Sequence, residues 1–221
     1  MRKVSAIVVA AGAGRRFGSA KQFALLRGKS VLERSLDALA GHPQVDEIVL
    51  VLPAGEAGAR YRKRWSKVVA IVRGGEKRQD SVWRGFVRLR SGPADLVLVH
   101  DAVRPLVSEE VITRVIAEAK EGGAAVASVP VEDTIKEAAA GVVVRTLVRD
   151  NLWCVQTPQA FAREVLDRAL RKARQDRFYG TYEAALVERT GHPVALVQGD
   201  RRNIKITTAA DLKIAEALLE D

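Results

Sequence analysis

The chain has 221 residues, 48% hydrophobic and 29% charged, which is enough for one sizeable domain with a full core. Its formal net charge of +9 favours partners rich in phosphate, such as nucleotides, sugar phosphates or nucleic acid, without choosing among them. A single cysteine, Cys154, excludes an intrachain disulfide and a cysteine metal cluster and fits a reducing cytoplasm, and no apolar run reaches membrane-spanning length.

Apolar runs alternate with helical patterns along the chain. Residues 4–10 read as a buried strand rather than a signal peptide, because the run is short and leads straight into Gly12, Gly14 and two arginines. A helix is predicted over 31–40, with Leu32, Leu36 and Leu39 on one face. Strands follow at 47–52, stopped by Pro53, and at 68–72. A helix over 81–90 turns Val82, Phe86 and Leu89 inward, and a strand follows at 96–100. Ser108 is a suitable N-cap, with Glu109 and Glu110 placed for the helix dipole. That helix runs to about residue 121, where Gly122 and Gly123 end it, and a strand occupies 124–129. The pattern then breaks. Residues 134–136 and 142–147 read as a hairpin around a small-residue turn. Helices are expected at 162–174 and 181–189, strands at 194–198 and 203–206, and a last helix with Thr208 and Asp211 as a capping box. Strands apolar on both faces and alternating with helices imply an α/β fold with a mostly parallel sheet and helices on both sides. Ligands of such sheets sit outside the carboxyl ends of the strands.

The first strand is followed by Ala10, Ala11, Gly12, Ala13, Gly14, Arg15, Arg16, Phe17 and Gly18, then Lys21. Glycines let the backbone turn tightly and aim N–H groups at an anion, and the cations add charge for a triphosphate. The dinucleotide fingerprint fails, because Phe17 stands at its third glycine and Pro53 where its ribose-binding acid should close the second strand. The P-loop pattern fails as well, because Gln22 follows Lys21. After the third strand, Gly74 and Gly75 permit close approach to a flat base, and Ser81 either bonds a base edge or caps a helix. After the fourth, Asp101 suits Mg²⁺ or a ribose hydroxyl, and Arg104 binds a phosphate or pairs with Asp101. His100 reads as a buried, satisfied histidine, Trp153 as packing, and Gln156 and Gln159 as partners of backbone groups. Lys205, between Ile204 and Ile206, reaches either a substrate phosphate or water.

Together the stretches AAGAGRRFG with Lys21, GGEKRQDSV, HDAVRP, residues 131–134, Arg149 through LWCVQTPQ, and NIKIT resemble the 2-C-methyl-D-erythritol 4-phosphate cytidylyltransferases of the non-mevalonate isoprenoid pathway. The resemblance runs along essentially the whole chain. It implies one Rossmann-like nucleotidyltransferase domain over 1–221, with a projecting β-arm at about 131–157 and a homodimer in which arms embrace. The implied reaction joins CTP to methylerythritol phosphate with Mg²⁺, in the cytoplasm, with no nucleic acid or membrane as partner. By position, Ala10, Ala11, Gly12, Gly14, Arg16 and Lys21 should cradle the CTP phosphates, and Gly75, Glu76 and Ser81 should face cytosine. Asp101 and Ala102 should lie near the ribose, with Asp101 near the metal. Arg104, Thr134, Arg149 and Lys205 should surround the methylerythritol phosphate, Thr134 and Arg149 from the neighbouring subunit. Arg16, Lys21, Arg149 and Lys205 carry the catalytic charge in this reading. One segment departs from the family pattern, which has Thr-Asp-Glu-Ala-Ser. Here Tyr182 replaces the acid and Ala185 the serine, which puts a ligand role for the segment in doubt, Thr181 included. The rival acceptor is ribitol 5-phosphate, since it also presents a phosphate and hydroxyls.

Overall fold

The computed structural model describes residues 2–14, 17–90, 92 and 95–220. In chain order the elements are β1 (Val4–Val9), β2 (Leu25–Leu26), β3 (Lys29–Ser30), α1 (Val31–Gly41), β4 (Glu47–Leu52), α2 (Ala59–Arg64), β5 (Val68–Arg73), α3 (Arg78–Phe86), β6 (Leu96–Asp101), α4 (Glu109–Gly122) and β7 (Ala124–Pro130). After them come β8 (Lys136–Ala139), β9 (Val142–Thr146), β10 (Trp153–Ala162), α5 (Arg163–Gln175), α6 (Glu183–Glu188), β11 (Ala195–Gln198) and α7 (Ala209–Leu218).

The main sheet has the order β11-β7-β10-β6-β1-β4-β5. Neighbours run parallel except β10, which is antiparallel to both β6 and β7. Side-chain alternation divides the core into two layers. Val4, Ala6 and Val8 of β1 pack with Leu32, Leu36 and Leu39 of α1 and with Val111, Val115 and Ile116 of α4. Ile7, on the opposite face, packs with Val82 and Phe86 of α3 and with Leu166 and Leu170 of α5. A third cluster sets Ala215 of α7 against Leu26, Val31, Val103 and Ile206.

Helix ends follow local chemistry. The Glu33 N–H donates to Ser30 Oγ at 3.2 Å, and Glu33 Oε2 accepts from the Ser30 N–H at 2.8 Å. Ser108 caps α4, and Gly123, at φ 81°, ends it in the left-handed region. Thr208 and Asp211 form the expected capping box on α7.

Four differences from the sequence reading have physical causes. First, α3 starts at Arg78 rather than 81, because Asp80 Oδ2 accepts the Lys77 N–H at 3.1 Å and closes the first turn early. Second, β10 was hidden by Gln156, Pro158 and Gln159. Its ladder to β7 is interrupted between Val155 and Gln159, which accommodates a proline in an inner strand. Third, 203–206 is irregular rather than a strand. Asn203 Nδ2 donates to Gln156 Oε1 and to the Thr157 carbonyl, so side chains replace a ladder there. Fourth, the first hairpin strand lies at Lys136–Ala139, two residues later than expected. β8 and β9 form their own two-stranded sheet, exposed along its length and outside the main one.

Candidate active site

The chain leaves β1 for β4 and β5 on one side and returns to β6 on the other. A sheet splays its connections where its strand order reverses, and this opens a crevice at the carboxyl ends. A cleft of about 390 Å³ lies there. It is lined by Val9 to Ala13 after β1, by Lys21 and Gln22, by Gly75 to Arg78 with Ser81, and by Asp101, Val103 and Lys205.

Two loops form its walls. Gly14 has φ 66°, and a Cβ there would lie 1.8 Å from the Ser19 carbonyl oxygen, so only glycine fits this turn. The Gln22 side chain donates to the Gly12 carbonyl at 3.1 Å and holds the loop from below. On the facing wall, a Cβ on Gly74 would sit 2.1 Å from that of Ala11, so the Ala11 methyl packs against bare backbone at Gly74. The Gly75 N–H donates to Ser81 Oγ at 3.0 Å, and that hydroxyl donates to the Lys77 carbonyl at 3.2 Å. Ser81 thus shapes the loop as well as lining the cleft.

Asp101 ends β6 at the inner wall and is 4% exposed. Its Oδ1 accepts from Arg78 Nε at 2.8 Å. Its Oδ2 accepts from Lys205 Nζ at 2.7 Å and from the Tyr182 hydroxyl at 3.2 Å. Arg78 Nη1 reaches both carboxylate oxygens of Glu183 at 2.8 Å. Burial would raise the Asp101 pKa, but the Arg78 and Lys205 charges hold it far below the carboxylate range. Lys205 is held upward by the same pairing, against the opposite pull of burial.

His100 is buried and satisfied, as expected. The Asp101 N–H donates to Thr157 Oγ1, whose hydroxyl donates to His100 Nδ1, and His100 Nε2 donates to the Arg104 carbonyl at 3.2 Å. Burial pushes its pKa down to about 4, so it stays neutral at physiological pH. The unfolded chain therefore binds the extra proton between pH 6.5 and about 4. The resulting stabilisation is complete above 6.5, is lost as pH falls to about 4, and amounts to about 3 kcal/mol. Urea unfolding of the protein is expected to show this loss, and a flatter slope in that window for His100→Gln; equal slopes would refute it.

The cleft thus gathers Ala10, Ala11, Gly12, Lys21, Gly75, Glu76, Ser81, Asp101 and Lys205 from the sequence reading. Arg16 lies outside the described residues. Gly14 shapes the turn without lining the cleft, and Ala102 is fully buried, its N–H donated to the Val9 carbonyl. Arg104 pairs with neither Asp101 nor solvent. It is 6% exposed and donates to the Asn203 carbonyl at 2.7 Å, while its Nε is buried without a hydrogen-bond partner. Thr134 and Arg149 are exposed on the arm and do not line this cleft; Arg149 donates to the Glu132 carbonyl. Gln156 and Gln159 serve backbone groups, donating to the Asp200 and Gln156 carbonyls. Trp153 is 37% exposed.

Sequence reasoning missed Arg78, Tyr182 and Glu183. Arg78 sits inside the stretch GGEKRQDSV, and a helix start at 78 would have placed it at the mouth of the cleft. Tyr182 stands where the family pattern is broken, yet its hydroxyl touches two site residues.

As a metal ligand Asp101 does not fit, because both of its oxygens accept from cations. Among the described residues no group of three or more His, Cys, Asp and Glu could hold a metal ion.

The model of the 2-C-methyl-D-erythritol 4-phosphate cytidylyltransferase family matches residues 4–221. The chain is 48% identical to the enzyme of that name from Symbiobacterium thermophilum, over 99% of this chain and 93% of the relative. It is 45% identical to the one from Syntrophus aciditrophicus, over 99% and 96% of the two chains. The crystal structure of the Thermus thermophilus enzyme superposes with a TM-score of 0.84 at 36% identity, covering 99% of this chain and all of the other.

Proposed function

The chain belongs to the 2-C-methyl-D-erythritol 4-phosphate cytidylyltransferases, and on that premise we propose how its cleft performs the transfer of CMP from CTP to 2-C-methyl-D-erythritol 4-phosphate with release of pyrophosphate. The observation that carries the reading is the meeting, in one cleft, of the glycine turn, the Gly75–Ser81 loop and the Asp101–Lys205 pair.

An oxygen of the acceptor phosphate attacks the α-phosphorus of CTP. The bond from that phosphorus to the bridging oxygen breaks, and pyrophosphate leaves in line. A phosphate monoester has its second pKa near about 6, so the nucleophile is ionised at pH 7 and needs no general base. His100, neutral and with both ring nitrogens engaged, is no candidate for one. The barrier is the approach of two anions, which positioning and fixed positive charge lower. In this reading Ala10, Ala11, Gly12 and Lys21 take the triphosphate, with Gly14 setting the turn and Arg16 adding charge. Gly75, Glu76 and Ser81 face cytosine. Asp101 lies toward the ribose beside Ala102. Lys205 turns from Asp101 to the acceptor phosphate, beside Arg104.

Thr134 and Arg149 complete the acceptor site of a second copy of the chain. Supporting this, the arm exposes Val142, Val143, Val144 and Val148 at 56–70%, more apolar surface than a lone hairpin keeps in water. A divalent cation brought by CTP would neutralise triphosphate charge beside Lys21, the charge-screening chemistry such an ion supplies. The enzyme is placed in the cytoplasm, where both substrates are expected. Among the described residues no helix is long and apolar enough to cross a membrane.

Pyrophosphate release from CTP and Mg²⁺ is expected with methylerythritol phosphate and not with ribitol 5-phosphate at equal concentration. The same preparation should scatter light as twice the chain mass. Equal rates with the two acceptors, or a fully active monomer, would overturn the corresponding part.

A further inference from the structure

Arg78, Asp101 and Lys205, from three separate stretches, line the cleft, and Tyr182 from a fourth meets them there. Tyr182 immediately precedes α6, and its hydroxyl accepts from Lys205 Nζ at 3.0 Å while donating to Asp101 Oδ2 at 3.2 Å. Its ring lies beside both cations, with the Arg78 guanidinium carbon 4.6 Å and Lys205 Nζ 5.2 Å from the centroid. The phenol is therefore held by two cations, and its hydroxyl bonds both members of the ion pair.

We propose that Tyr182 is a positioning residue for the acceptor phosphate, holding Asp101 Oδ2 when Lys205 turns away from it to meet that phosphate. This rests on the reading that Lys205 binds the acceptor phosphate. The physical case concerns Asp101. A buried carboxylate oxygen that loses its cation and finds no other donor is strongly disfavoured. Two donors reach Oδ2, the Lys205 ammonium and the Tyr182 hydroxyl. When the ammonium leaves, the hydroxyl remains, and Arg78 still holds Oδ1. The hydroxyl also loses Lys205 as a donor to itself, which it tolerates, because a hydroxyl needs no accepted bond to keep donating. Without the hydroxyl, Lys205 would be the sole donor to Oδ2 among the described residues and would leave it less readily.

Steady-state kinetics of Tyr182→Phe test this. Hydrogen bonds to charged groups are the stronger kind, so the KM for methylerythritol phosphate is expected to rise about tenfold. kcat and the KM for CTP should stay within about twofold, and the melting temperature should fall by only a few degrees, since the ring is kept and Lys205 still holds Asp101 in the free enzyme. In an Asp101→Asn background the neutral amide no longer holds Lys205. There Tyr182→Phe should add less than about twofold, read by single-turnover rates against acceptor concentration. An unchanged acceptor KM in Tyr182→Phe would overturn the proposal, and so would the same fold-effect in both backgrounds. Lys205→Ala separates the two readings. If it leaves the acceptor KM unchanged, the Lys205 assignment itself fails; if it raises that KM while Tyr182→Phe does not, only the role of Tyr182 fails.

Discussion

Lys21→Ala is expected to lower kcat by a factor of roughly 10² to 10³, about 3 kcal/mol of transition-state stabilisation, with the melting temperature unchanged. Lys21 lines the cleft at the start of a short 3-10 turn, Lys21–Phe23, directly after the glycine loop. It lines the cleft together with Gly12 and Ala13, where the proposed mechanism puts the triphosphate. A fixed cation there acts most strongly when the α-phosphorus is crowded by both the entering and the leaving oxygen. Its loss should therefore appear in kcat more than in the KM for CTP. Arg16→Ala is expected to behave alike, on the family resemblance alone. Single-turnover measurement of CMP transfer checks both, and near-normal rates in Lys21→Ala would refute the assignment.

The second large effect concerns stability. Arg78→Ala should destabilise the fold by about 3–5 kcal/mol, because it leaves the buried Glu183 carboxylate without its cation and takes one of two cations from Asp101. Glu183 is 1% exposed, and its bonds to Arg78 are double. Asp101 keeps Lys205 and Tyr182 but loses the donor on Oδ1. A melting temperature lower by on the order of 10 °C is the expected reading for a chain of this size. Arg78→Met combined with Glu183→Gln should recover part of that loss, since removing both charges leaves no unpaired charge at position 183. If Arg78→Ala melts like the parent, the ion network is not holding α3, β6 and α6 together.

Much of the fold was legible because it rests on local rules. The short apolar runs of β1, β4 and β6 and the helical periodicity of α1 depend on neighbours a few residues away. So do the caps Ser108 and Thr208 and the stop at Gly123. β10 was not legible, because what makes it a strand is pairing with β6 and β7, and Gln159 in its middle bonds the Gln156 carbonyl and the Ala184 N–H. The glycine turn and its lysine were visible as a phosphate loop, since glycine at a turn followed by cations needs no partner to be read.

The sequence by itself determined the alternation of strands and helices, the caps that bound them, and the order of motifs that places the chain in its family. Only the tertiary structure decided that Arg78 rather than Arg104 pairs with Asp101, that Tyr182 joins the pair, and that Lys205 reaches it from 104 residues away. The reason is range: periodicity and capping act within one or two turns of chain. A charge finds its counter-charge only where the sheet's crossing connections bring distant residues together.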